Sequence, residues 1–324
     1  MSKQKSIKKT VYILTEGKTE EAYFSRIGEI LGNDTDWKYS VTVEVREIVD
    51  GSKTDPVKMV KEAKEHKGSF NEIWVVFDKD RERDILNEKA IALAIKSKIK
   101  VAFSSISFEH WIILHFEKST FAFQRSDCES RSTNAVPVVC VCNGTICAST
   151  YIKQNYYPTF YKAKSKLFDE LKSYSVNAIE NAAWLRLHKS TYTDIHTLNP
   201  YSDVDILLAE LLNQSKVEYN SIGQIFNFNT TNILVRSHSR NGNSILVTLN
   251  INNQGAVAFP MNNIQQFSLL DKQRVSFSYS VNQVALIQPG TNQDVVLTFT
   301  VNQNSQLLTF KAAASDTNFL VDLI

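Results

Sequence analysis

Two apolar runs near the amino terminus each end in acid. Val11-Tyr12-Ile13-Leu14 leads into Thr15-Glu16-Gly17, and Ile73-Trp74-Val75-Val76-Phe77 leads into Asp78-Lys79-Asp80. Short continuous runs rich in β-branched and aromatic residues predict buried strands of a parallel sheet. The stretches between them change to helical spacing. The pattern predicts a strand over 9–14 and a helix over 19–31 with Ala22, Tyr23, Phe24, Ile27, Ile30 and Leu31 inward. An alternating strand over 42–49 follows, then a helix through 64 opened by Asp55-Pro56, with Asp as cap and Pro at the first position. After the Asp-x-Asp strand come a helix over 85–98 with Ile85, Ala92, Leu93 and Ile95 inward, a strand over 100–104 and an apolar helix over 108–116. Such alternation predicts an α/β fold, a parallel sheet flanked by helices. Residues 126–157 interrupt it, and 155–212 reads as helical.

From about 215–222 the pattern changes. Short alternating strands are predicted over 225–228, 233–235, 244–251, 256–259, 267–270, 275–279, 285–287, 295–301 and 307–310, punctuated by Asn and Gly. This is the pattern of an all-β sandwich. Charge thins out as well: only six basic and five acidic residues follow Ser215. The reading is two domains, 1–215 and 216–324. No catalytic constellation falls in the second, which reads as a recognition or assembly module through which a protein partner or trigger acts; His238 is placed on a loop there.

Overall charge is nearly balanced, 36 Lys and Arg against 34 Asp and Glu, net +2. That excludes a general basic coat, so any affinity for nucleic acid must be local. No apolar run is long enough to span a bilayer, and the basic start leads into a strand instead of a signal segment. The expectation is a cytoplasmic protein without membrane contact. Exposed sandwich edges permit an oligomer.

The acids carry the chemistry. Carboxyl ends of strands are where open α/β sheets bind ligands. Glu16, Asp78 and Asp80 gathered there repel one another unless a cation lies between them, and hard oxygen ligands suit Mg²⁺ or Mn²⁺. Such sites commonly handle phosphates. The plainer alternative is that a strand-ending Asp merely caps the next helix. The four cysteines, Cys128, Cys140, Cys142 and Cys147, all fall in 126–157. They are open to three readings: a structural zinc site, reduced thiols in a hairpin turning at Asn143-Gly144, or a disulfide.

Glu16 after one strand and Asp78-x-Asp80 after a later one resemble a Toprim domain. Within that class the chain resembles the RloB-like family of bacterial defence proteins over roughly its first two thirds. The matching segments are Thr15 to Phe24, Val76 to Asp80 and Phe108-Glu109-His110-Trp111-Ile112-Ile113-Leu114-His115-Phe116-Glu117, with weaker ones at Ala178 to Ala182 and Asn199 to Val204. Where the family usually has Ser-Asn-Pro before Phe-Glu, this chain has Ser104-Ser105-Ile106-Ser107. The C-terminal segments look similar to immunoglobulin-like accessory domains.

The resemblance implies a metal-dependent nuclease cleaving RNA, tRNA included, or DNA in anti-phage defence by abortive infection. Glu16, Asp78 and Asp80 would hold one metal and Glu20 and Glu109 a second. Lys18, Lys79 and Arg81 beside the acids would neutralise phosphate charge. His115 is a candidate acid/base or a packing residue. The alternatives are a Toprim nucleotidyl transferase and a non-catalytic sensor of nucleic acid or nucleotide.

Overall fold

The computed structural model describes residues 8–34, 36–46, 55–79, 84–123, 141–142, 145–161, 165–189, 194–261, 266–281 and 286–323. The chain divides into two compact units, Met1–Gln214 and Ser215–Ile324.

In the first unit the order is β1 (Lys9–Thr15), α1 (Lys18–Gly32), β2 (Tyr39–Val45), α2 (Pro56–Glu65), β3 (Glu72–Asp78), α3 (Asp84–Lys96), β4 (Lys100–Ser105) and α4 (Phe108–Leu114). There follow a small hairpin, β5 (Val141–Cys142) and β6 (Thr145–Ile146), then α5 (Ala148–Asn155), α6 (Leu167–Leu171), α7 (Ser175–Lys189), β7 (Tyr201–Ser202) and α8 (Val204–Leu211). The sheet runs β2-β1-β3-β4-β7, parallel except for the antiparallel edge strand β7. From β1 the chain steps outward to β2, then returns to the far side of β1 at β3. Strand order therefore reverses between β1 and β3, and a crevice opens at their carboxyl ends.

One sheet face packs Tyr12, Leu14, Val75, Phe77 and Phe103 with Met59, Val60 and Ala63 of α2 and Ala90 and Ala94 of α3. On the α1 and α4 side an aromatic cluster joins three helices. Tyr23 of α1 lies edge-on to Phe108 of α4 at 5.5 Å and to Phe168 of α6 at 5.2 Å. This packing brings the first turns of α1 and α4 to the same end of the sheet.

Several expectations are corrected. α3 buries Asn87, Ala90 and Ala94, while Ile85 and Ile95 are 67% and 72% exposed. The small stripe spaced for a helix lets α3 approach the sheet; Leu93 packs partly buried against the same core, as expected, while Ile85 and Ile95 turn outward. β2 lies at Tyr39–Val45, earlier in the chain than expected. Arg186 of α7 forms a two-pronged ion pair with Asp205, whose side chain is 4% exposed. Tyr156 lies flat on Phe116 at 4.6 Å. Glu117 accepts a hydrogen bond from Tyr151. Of the cysteines, Cys147 is a buried free thiol 3.2 Å from the Thr150 hydroxyl. Cys128, Cys140 and the Cys142 side chain lie outside the described residues, as does the turn between β5 and β6.

At the amino edge of the sheet, about 20 Å from Asp78 by strand rise, Lys9 and Lys100 pair with Glu72 and Glu210. Burial alone would raise the Glu72 carboxyl, but hydrogen bonds within this quartet outweigh it and hold it at about 2, below its usual 4.5. A depressed carboxylate contributes stability that is present above its unfolded value and is lost as pH falls from 4.5 towards about 2. With both lysines over a third exposed, no more than about 1 kcal/mol is expected after solvent screening. Urea unfolding across this pH window should show a steeper loss for wild type than for Glu72→Gln. Parallel curves would contradict the assignment. All four tryptophans, Trp37, Trp74, Trp111 and Trp184, lie in the first unit, so their fluorescence reports it selectively.

The second unit holds β8 (Lys216–Asn220), β9 (Ile225–Phe228), β10 (Thr231–Asn241), β11 (Ser244–Asn253), β12 (Phe259–Pro260), β13 (Phe267–Leu270), β14 (Ser276–Phe277), β15 (Tyr279–Val281), β16 (Leu286–Ile287), β17 (Asn292–Thr300), β18 (Thr309–Ala313) and β19 (Thr317–Asp322). Sheets β15-β17-β11-β10-β9 and β14-β13-β18-β19-β8 enclose one core, with Ile233, Val247 and Leu297 from the first and Leu269, Phe310 and Val321 from the second. All pairings there are antiparallel except β8 with β19. The alternation of buried and exposed positions along β11 matches its sequence. His238 lies on β10, not on a loop, paired with Val247.

Candidate metal centre

β1 ends at Thr15, and the Glu16 amide continues its pairing by donating to Val76 O at 2.9 Å. This carries Glu16 to the β1/β3 crevice, where its Oε2 accepts from the Asp78 amide at 3.0 Å. Asp78 closes β3. Its Oδ2 accepts from the Phe108 amide, the first of α4, at 3.0 Å. Asp78 thus meets the amino end of α4 and not of α3, the helix that follows β3, and this occupies one oxygen only. Asp78 Oδ1 is sealed from solvent without a hydrogen-bond partner among the described residues, although the residue as a whole is half-buried.

Two further acids come in on helix first turns. Glu20 of α1 is 4% exposed and Glu109 of α4 is 3% exposed. Gly17, immediately before α1, lets Glu20 close in: a Cβ there would sit 2.6 Å from Glu20 Oε2. Gly17 is extended, with φ −128° and ψ 163°, so what it supplies is space. α4 is pinned at its far end, where Asn181 of α7 donates to Leu114 O at 2.8 Å.

Burial, followed by the charges of Glu20, Glu16 and Glu109, pushes the Asp78 carboxyl well above the usual range, opposed only weakly by the Phe108 amide. A buried carboxylate facing like charges is what a cation would relieve. The donors are all carboxylate oxygens, and one of them is orphaned. This set fits a hard divalent ion. Among the described residues no three His, Cys, Asp or Glu side chains stand close enough to ligate one ion together. Asp80 and Arg81 lie outside the described residues.

The remaining candidates separate. Lys18 opens α1 and is exposed. Lys79 pairs with Asp84 at 3.4 Å, and its side chain is 11% exposed. His115 is not brought to the acids. It is fully buried behind α4, with Nδ1 3.1 Å from Trp111 O and Nε2 3.2 Å from Tyr23 Oη. A carbonyl only accepts, so Nδ1 carries the proton and Tyr23 donates to Nε2. Burial pulls this ring down to about 4, which makes it a neutral packing group at physiological pH.

Sequence reasoning did not single out Gly17 for clearance, nor Ser104 as a neighbour of Asp78. Ser104 pairs with Asp78 across β3 and β4 and is 1% exposed, and its hydroxyl has no partner among the described residues. The Gly next to the acid was a readable signal. Nothing in the sequence fixes the register that sets Ser104 beside Asp78.

Solved structures similar to part of the chain include an uncharacterized β-sandwich protein from Clostridium difficile 630, with 7% identity, a TM-score of 0.29, and coverage of 34% of this chain and 97% of that one. Another is the secreted protein MPT63 from Mycobacterium tuberculosis, with 11% identity, a TM-score of 0.27, and coverage of 32% and 95%. No curated protein matches the chain. The family model described as RloB-like protein matches residues 11–211, a span that contains the sheet of the first unit except Lys9 and Thr10, and all the acids at its carboxyl edge. That is more than half of the 324 residues, and the chain belongs to the RloB-like family.

Proposed function

We propose that this protein is a Toprim-type, Mg²⁺- or Mn²⁺-dependent nuclease that cleaves phosphodiester bonds of RNA or DNA, tRNA included, and that it serves bacterial anti-phage defence. The observation that carries the reading is the unpartnered Asp78 Oδ1 among Glu16, Glu20 and Glu109 at the strand-order reversal. Glu16 and Asp78 would hold the ion, with Asp80 completing the Asp-x-Asp pair and Glu20 and Glu109 offering further oxygens. A divalent ion there supplies Lewis acidity and a more acidic bound water. The chain itself fixes the carboxylates, Glu16 by the Asp78 amide and Asp78 by the Phe108 amide. Lys18 stands free of the sheet to meet substrate phosphate, whereas Lys79 is already matched by Asp84. The sandwich, read as an immunoglobulin-like module, would serve recognition.

The test is cleavage of total tRNA, single-stranded DNA and duplex DNA with Mg²⁺, Mn²⁺ or chelator, beside Asp78→Ala. Metal-dependent cleavage lost in the variant supports the reading. A covalent protein–nucleic acid adduct would point to nucleotidyl transfer. Metal binding without cleavage of any substrate would point to a sensor.

Gly17→Ala provides a prediction specific to the site. The backbone accepts Ala, and the atom displaced is the tip of Glu20. Folding should be nearly unchanged, while Mn²⁺ affinity falls by about tenfold, as for loss of a group that orients a ligand. Wild-type affinity in this variant would remove Glu20 from the site.

A further inference from the structure

Two buried oxygens without partners belong to neighbouring residues on adjacent strands at the site. Asp78 and Ser104 are register partners on adjacent parallel strands, so their side chains leave the same face of the sheet. The residues before them confirm the facing. Phe77 and Phe103 are likewise partners, and their rings meet 5.5 Å apart on the opposite face, the one that packs α2 and α3. Asp78 Oδ1 and the Ser104 hydroxyl are both sealed from bulk solvent, and neither has a partner among the described residues. Leaving a buried hydroxyl unsatisfied is costly, so such groups normally serve a ligand, a water or a neighbour. The two groups do not bond to each other.

The chemistry of a hard cation links them. Mg²⁺ keeps several of its waters and is held by only one or two carboxylates. A neutral hydroxyl beside a metal-binding carboxylate is suited to address that hydration shell, and groups that do so orient the ligand they flank. We propose that Ser104 is a positioning residue of the acid site, its hydroxyl hydrogen-bonding to the hydration shell of the cation that Asp78 holds. The inference rests on the metal reading of the acids and adds a residue whose hydroxyl makes no hydrogen bond to the acidic side chains. Ser105, next in the chain, provides a built-in contrast. It is equally buried, but its hydroxyl donates to Leu198 O, in the core on the other face.

The experiment is Mn²⁺ titration of wild type, Ser104→Ala and Ser105→Ala, with metal-free Tm read from tryptophan fluorescence. Ser104→Ala should weaken Mn²⁺ binding by about tenfold with a metal-free Tm equal to or above that of wild type, since it deletes an unsatisfied group. Ser105→Ala should do the reverse, lowering Tm with unchanged affinity. If wild type and Ser104→Ala bind Mn²⁺ equally, the proposal is overturned and the metal reading stands. If both serine variants lose affinity together with stability, the effect is general packing and the proposal is again overturned. Wild type that binds no Mn²⁺ overturns both.

Discussion

Asp78→Asn is expected to make the metal-free protein more stable while abolishing metal binding and cleavage. The folded state holds the Asp78 carboxyl above its unfolded value, through burial and through Glu20, Glu16 and Glu109. An acid with a raised folded value binds more protons folded than unfolded. Its ionisation therefore costs stability above the folded value, and that cost is relieved as pH falls through it. Asn removes the charge while its amide oxygen still accepts from Phe108, and the new NH₂ faces carboxylates as a donor. A gain on the order of 1–3 kcal/mol is expected at neutral pH, the penalty of an uncompensated buried group, or a few degrees in Tm. Tryptophan fluorescence against temperature in chelator measures it. A lower Tm than wild type would mean the carboxylate is satisfied and the acids are structural.

The largest loss of stability is expected from Asp205→Ala. Arg186 on α7 reaches Asp205 on α8 with both terminal guanidinium nitrogens, and its Nη1 also donates to Ser202 O at 3.2 Å. Removing the carboxylate leaves a half-buried guanidinium against the apolar α7/α8 contact, a situation that costs about 3–5 kcal/mol. A double replacement, Arg186→Met with Asp205→Leu, should recover most of that loss, because two charges removed together leave nothing unpaired. Urea unfolding followed by tryptophan fluorescence separates the three proteins. A single Asp205→Ala change of under about 0.5 kcal/mol, the size of an ordinary surface substitution, would show the pair to be solvated.

Much of the site was legible because it depends on where strands stop. The two acid-ended apolar runs became β1 and β3, and their carboxyl ends meet at the reversal of strand order. Glu20 and Glu109 were readable as first-turn positions of helices. What could not be read depends on which way elements face. α3 turned Ile85 and Ile95 outward because three small or short residues allow a closer approach to the sheet than Ile would. β7 is two residues long, too short for any periodicity to mark it, yet it supplies the antiparallel edge next to β4. The ion pair of Arg186 leaves no mark in the sequence pattern, because its partner lies on another helix, 19 residues away. His115 shares a helix with Glu109, but its position at the far end of α4 places it among Tyr23 and Trp111 instead of among acids. In the sandwich the alternating runs marked most strands, and β8 and β19, which close one sheet through a parallel pairing, were missed.

The central claim is that the acids at the carboxyl ends of β1 and β3 hold a divalent cation. It is tested most directly by electron paramagnetic resonance of free Mn²⁺ titrated with the full-length protein, wild type beside Asp78→Asn. The account predicts that wild type depletes the free-ion signal in a saturable manner that Mg²⁺ reverses, and that Asp78→Asn leaves the signal untouched. Equal depletion by both proteins, or none by wild type, would contradict it.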